Sequence, residues 1–130
     1  MLKKIVFGSA LLLAVQGSVS AQAGQKWNSI AWTTWNDSAG GAHVAAGYAE
    51  GSSQKEATKN ALHQCKINGG VGCHTLGAYN SGCFYFSVGN SSSGVGAGSD
   101  STPAGALAHC RNAKGSSYSC KKPIGGCVGG

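Results

Sequence analysis

The stretch Ala61-Leu62-His63-Gln64-Cys65 recurs as Ala106-Leu107-Ala108-His109-Cys110, and this repeat decides the reading of the chain. An alanine and a cysteine four residues apart lie on one face of a helix. Each copy follows a helix-start signal. Ser53-x-x-Glu56 is a capping box, and Thr102-Pro103 places proline at the first helical position, where its missing N–H costs nothing. A Gly-containing loop then leads from each helix to a second cysteine, Cys73 or Cys120. The chain therefore reads as two related units, each a helix stapled to whatever follows it.

The flanking segments complete each unit. Residues 27–35 alternate, with Ile30, Trp32 and Thr34 on one face and Ala31, Thr33 and Trp35 on the other, which is the period of a strand. Residues 36–41 are a turn cluster, and residues 43–50 return as the second arm of a hairpin. Beyond the first helix, Gly69 and Gly70 stop it and residues 71–79 form a strand carrying Cys73. The second half repeats this order: residues 83–88 alternate Phe84 and Phe86 against Tyr85, residues 90–94 turn, and residues 95–98 form a weak strand. A shorter helix follows, then a last strand at 118–121 and a Gly-rich tail held by Cys127. The expected fold is α+β, a small disulfide-stapled domain of two ββαβ units, an antiparallel sheet with two short helices, related by a pseudo-twofold internal repeat. Alanine and glycine crowd the helices and strands, so close helix-on-sheet approach has to replace bulky side chains in a thin core.

Six cysteines, Cys65, Cys73, Cys83, Cys110, Cys120 and Cys127, allow fifteen connectivities. The repeat favours Cys65 with Cys73 and Cys110 with Cys120, which leaves Cys83 with Cys127. Intervals of seven, nine, twenty-six, nine and six residues lack zinc-ligand spacing, so no metal or other cofactor is expected. The even count leaves no unpaired thiol to work with His74 or His109 as a nucleophile.

Residues 1–23 read as a signal peptide: Lys3 and Lys4, a short apolar run, then Ala21-Gln22-Ala23 before the cleavage point. Residues 24–130 then form a single domain in an oxidising compartment, periplasmic or secreted, without a stable membrane anchor. Removing Lys3 and Lys4 takes the net charge from +6 to +4. Such a surface favours anionic partners. The lysines are dispersed and carry no nucleic-acid-binding signature.

Chemistry-bearing constellations are sparse. The four acids are Asp37, Glu50, Glu56 and Asp100. Glu56 belongs to the capping box, Asp37 and Asp100 sit in turn contexts, and Glu50 alone makes no acid–base pair. Gly94, Gly96 and Gly98 precede a helix but lack the partners of a phosphate loop. No catalytic residue is assigned, with Glu50 and His43 on the first hairpin the least unfavourable choices. The aromatics Trp27, Trp32, Trp35 and Tyr48 concentrate in that hairpin and are the candidate partner-binding residues, since tryptophan and tyrosine supply large rigid contacts.

Trp27-x-x-Ile30-Ala31, the two Ala-Leu-x-x-Cys helix ends, their answering cysteines and a final cysteine near the terminus together resemble the bacterial exported "domain of unknown function 4189" family. The resemblance covers about residues 26–128. It implies an exported, disulfide-bonded α+β domain and transfers no catalytic residues. Members often carry a tryptophan-rich second strand, whereas residues 43–50 contain no tryptophan. The expected role is a non-enzymatic binding protein with a protein partner in the envelope or outside the cell, an immunity or inhibitor protein acting on a toxin or wall-degrading enzyme. The alternative is a secreted basic factor contacting anionic lipid or wall polymer, and a small wall-active hydrolase ranks third.

Overall fold

In the computed structural model, the described residues are 26–91, 94–113 and 119–129. The signal-peptide reading of residues 1–23, the tip of the turn at Ser92 and Ser93, and Tyr118 lie outside them. The chain runs β1 (Trp27–Asn36), β2 (Ala42–Gly51), α1 (Gln54–Ile67), β3 (His74–Tyr79), β4 (Gly82–Ser91), β5 (Gly94–Asp100), α2 (Pro103–Arg111), β6 (Ser119–Cys120) and β7 (Ile124–Val128).

Each repeat builds its own antiparallel sheet. The first has the order β2-β1-β3; the second has the order β5-β4-β6, with β7 also paired to β4. The registers correspond position by position. Ala31 pairs with Gly47 in the first sheet as Ser87 pairs with Gly98 in the second. A Cβ on Gly47 would strike the backbone of Ala61 and Cys65, and one on Gly98 the backbone of Ala106 and Cys110. The repeated Ala-x-x-x-Cys face is thus the surface that descends onto a glycine of the second strand. In both copies the cysteine sulfur, Cys65 or Cys110, lies beside a second-strand carbonyl, Ala45 or Gly96.

Side-chain alternation then separates two faces. On the outer face of the first sheet, Ala31, Ala45, Ala61 and Cys65 pack with Trp35 and Leu62 beneath α1. On the inner face, Ile30 and Val44 meet Phe86 and Val88 of the second sheet. The result is four layers, helix, sheet, sheet and helix, with Ile30, Val44, Phe86 and Val88 buried between the sheets and alanine and cysteine buried beneath α1. The small residues allow close approach outside them. Gly96 and Gly98 belong to strand β5, a structural use of the glycine run.

The third strand departs from the sequence expectation in both units, at the same level. In the first, pairing begins at His74 and the register slips between Ile30 and Ala31, because Leu76 is an extra residue. In the second, β6 meets Gly89 and Asn90, the register pairing is interrupted over residues 121–123 while the Lys121 N–H still bonds the Val88 carbonyl, and β7 returns to pair from Phe86 back to Gly82. The segment read as a glycine-rich tail is therefore a strand. Gly125, at φ 134°, sits where a Cβ would collide with the carbonyl of Phe84, and Gly126 sits against the Tyr48 hydroxyl. Glycine is what brings this strand into place, and glycine also hid it from propensity reasoning.

The disulfides join Cys65 to Cys73, Cys110 to Cys120 and Cys83 to Cys127, the pairs favoured by the repeat. Cys83 and Cys127 lie directly opposite one another on β4 and β7.

Both helices start on side-chain caps. The Ser53 hydroxyl accepts from the Glu56 N–H at 3.1 Å, and the Thr102 hydroxyl accepts from the Gly105 N–H at 3.0 Å. The Glu56 carboxylate reaches one residue beyond the ordinary capping box, to the N–H of Ser52 at 2.6 Å and its hydroxyl at 2.7 Å. These Ser52 bonds hold the Glu56 carboxyl below its ordinary value of 4.5. A group with a lowered folded-state pKa contributes stability above its unfolded value, and that contribution is lost as pH falls through the folded value. Ser53→Ala should cost about 1 kcal/mol. Glu56→Gln should weaken the acid dependence of the melting temperature as pH falls below the ordinary glutamate value of 4.5, and an unaltered acid slope would count against this role.

Candidate functional site

The fold divides the four hairpin aromatics instead of gathering them. Trp32 points between the sheets, edge-on to Phe86 at 5.2 Å between ring centroids and tilted against His74 at 5.6 Å. Tyr48 joins it there, and the Asn28 amide donates to its hydroxyl at 2.8 Å. Burial is the main cause that pushes the Tyr48 phenol up to about 12. Tyr79 extends this polar seam, donating to the carbonyl of Gly126 at 2.9 Å. Trp32 and Tyr48 therefore tie the two halves together and offer no common surface. Trp27 and Trp35 fall on the other face of β1, both half-buried.

Trp35 has a built setting at the hairpin end. Its ring stacks on His43 at 5.3 Å with an interplanar angle of 18°. The pair is adjacent because Trp35 and His43 are register partners across β1 and β2. Beyond them, Asp37 uses one carboxylate oxygen to accept from the N–H groups of Ala39 (2.9 Å) and Gly41 (2.8 Å), and the other to meet His43 Nε2 at 2.7 Å. The hydrogen bond from His43, followed by that from Gly41, lowers the Asp37 carboxyl from its ordinary value of 3.8. Reading Asp37 as a turn residue was correct. Its pairing with His43 was missed because it depends on the turn geometry that returns β2 in register.

Chemically, this arrangement holds an imidazole plane and an indole plane in fixed stacking. A histidine oriented by a carboxylate is also part of a general-base arrangement, but that chemistry needs a nucleophile beside the other ring nitrogen. Among the described residues, no hydroxyl or thiol is hydrogen-bonded to His43, and all six cysteines are in disulfides. Glu50 is exposed, and its carbonyl accepts from Asn60. The described residues contain no group of three His, Cys, Asp or Glu side chains placed to hold a metal ion.

A second feature was invisible in the sequence. Where β2 faces the second sheet, a cleft of about 350 Å³ opens between Ala45, Ala46 and Asn68 on one side and Phe86, Val88, Ile124, Lys121 and Lys122 on the other. The edge of β2 beside it is partly closed by asparagine amides. Asn60 donates to the carbonyl of Glu50, Asn68 to that of Ala46 and Asn90 to that of Ala42. Occupying alternate carbonyls on an edge strand removes acceptors that another strand would use.

The model of one protein family, described as "Domain of unknown function (DUF4189)", matches residues 27–127. The chain belongs to the DUF4189 family. The matched span opens at the first residue of β1 and closes at Cys127, so it contains all six cysteines of this DUF4189 domain. No curated protein and no solved structure matches the chain. Family membership leaves the activity to be argued from the site.

Proposed function

We propose that this DUF4189 domain is an exported, non-enzymatic binding module that recognises a protein partner through the end of the β1–β2 hairpin, as an immunity or inhibitor protein directed at a toxin or wall-degrading enzyme. The observation that carries this reading is the Trp35–His43–Asp37 arrangement. An aromatic side chain whose orientation is already paid for in the free protein loses little further entropy on binding, and such residues dominate protein interfaces. Three disulfides support folding in an oxidising compartment, periplasmic or extracellular. Among the described residues, no helix is long and apolar enough to cross a membrane.

A second reading has its own support. Lys121 and Lys122 adjoin at the mouth of the inter-sheet cleft, as suits a basic factor contacting anionic lipid or wall polymer.

The test is a crosslinking pull-down with the oxidised mature protein from envelope and secreted fractions, at low and high salt. The expected outcome is one protein recovered at both salts, with affinity reduced about thirtyfold by Trp35→Ala. Asp37→Asn should weaken it less, since an amide still orients the turn. Recovery of lipid or wall material alone, lost at high salt, would overturn the protein-partner reading in favour of the second.

A further inference from the structure

We infer that the inter-sheet cleft is a binding site for a small amphipathic anion, a carboxylate or phosphate monoester carrying a short alkyl chain or a single ring. This site is separate from the hairpin end and does not rest on the role proposed there.

Its shape and lining agree. About 350 Å³ lies at the lower end of the range of small-molecule sites. The apolar wall is Phe86, Val88 and Ile124, of which Phe86 and Val88 are core residues. Among the described residues, the only charged ones lining the cleft are Lys121 and Lys122, and no acid lines it. An apolar wall beside two cations is complementary to a ligand with one anionic end and one greasy end, and to neither a cation nor a neutral sugar.

The lysines stand on a fixed frame. The Lys121 N–H donates to the carbonyl of Val88 at 2.8 Å, and its carbonyl accepts from the Ser87 hydroxyl at 2.8 Å. Both lysines fall in residues 121–123, the interruption that occupies the same level as the single extra residue Leu76 in the first unit. The second copy of the repeat therefore differs from the first by a longer interruption of the register pairing, and the first two residues of that interruption are the cations at the cleft mouth.

The opposite wall supplies polarity of the matching sign. The Asn68 amide occupies the Ala46 carbonyl at 2.7 Å, which neutralises the acceptor that would repel an anion. In an antiparallel pair, the N–H and C=O of one residue point to the same side. The Ala46 N–H therefore lies on that free edge as a donor. Two ammonium groups, a backbone N–H and an apolar wall make up the site.

The test uses decanoate, below its micellar concentration, titrated into the oxidised protein and followed by amide chemical shifts. Saturable shifts at Ala46, Val88 and the Asn68 side chain are expected. Decylamine and decanol should bind about tenfold more weakly or worse. The Lys121→Ala/Lys122→Ala variant should lose about tenfold in decanoate affinity with an unchanged melting temperature, because both side chains are exposed. Anionic phosphatidylglycerol vesicles separate the free ligand from a membrane surface, and they should neither displace decanoate nor shift the cleft resonances. Absence of saturable shifts, equal binding of decanol, equal affinity of the double-lysine variant, or binding to vesicles alone would each overturn the assignment.

Discussion

Gly47→Ala and Gly98→Ala should each destabilise the domain by about 3 kcal/mol, a large effect for adding one methyl group. At both positions the new Cβ would fall on helix backbone rather than on the end of a flexible side chain. Relief would therefore require lifting α1 or α2 off its sheet. Lifting either helix would expose Ala57, Ala61 and Cys65, or Ala106 and Cys110, all fully buried. Domains of this kind are stable by about 5–15 kcal/mol, so either substitution removes a large part of the margin. Urea unfolding checks this, with Gly69→Ala as the comparison. Gly69 has open space around its Cβ position, and its φ of 95° makes alanine cost about 1 kcal/mol through backbone strain alone. Equal midpoints for Gly47→Ala and Gly69→Ala would show that the helices are not seated on these glycines as described.

Removal of the disulfides should have the larger effect still. The loops closed by Cys65–Cys73 and Cys110–Cys120 span 8 and 10 residues, and that of Cys83–Cys127 spans 44. In the chain-entropy model these correspond to about 2.5, 2.7 and 4 kcal/mol. Their sum is comparable with the whole stability of a small domain. Full reduction should therefore unfold the protein at room temperature. Replacement of Cys83 and Cys127 by alanine should cost more than replacement of Cys65 and Cys73. Reduction should also proceed in order. Cys83 and Cys127 are exposed, whereas Cys65 and Cys110 are fully buried, and an attacking thiolate needs access to a sulfur. Thiol trapping during a reductant titration reads this sequence directly. A melt unchanged by reductant would contradict the assigned stabilising role.

Local signals in the sequence carried the secondary structure well where they were strong. The alternation in residues 27–35, the Ser53 and Thr102 starts and the Ala-x-x-x-Cys faces all depend on neighbours within a few residues. They locate β1, α1 and α2 without reference to the rest of the chain. Strand β7 was missed because Gly125 and Gly126 have no strand propensity, and only the opposed Phe84 carbonyl and Tyr48 hydroxyl require glycine there. The Trp35–His43–Asp37 arrangement was half visible. Both strands of the hairpin were read, but stacking needs the register, and the register is set by the turn.

The sequence by itself determined two ββαβ units, their helix starts and the favoured cysteine pairing, because repeats, caps and periodicity are short-range properties of the chain. Tertiary structure alone decided that the units form separate sheets packed face to face. That packing sends Trp32 and Tyr48 into the seam while leaving Trp35 at the hairpin end. It also places Lys121 and Lys122 beside Phe86, Val88 and Ile124 across from Ala46. The physical reason is that burial depends on which face meets which partner, and alternation along a strand defines two faces without saying what will cover either one.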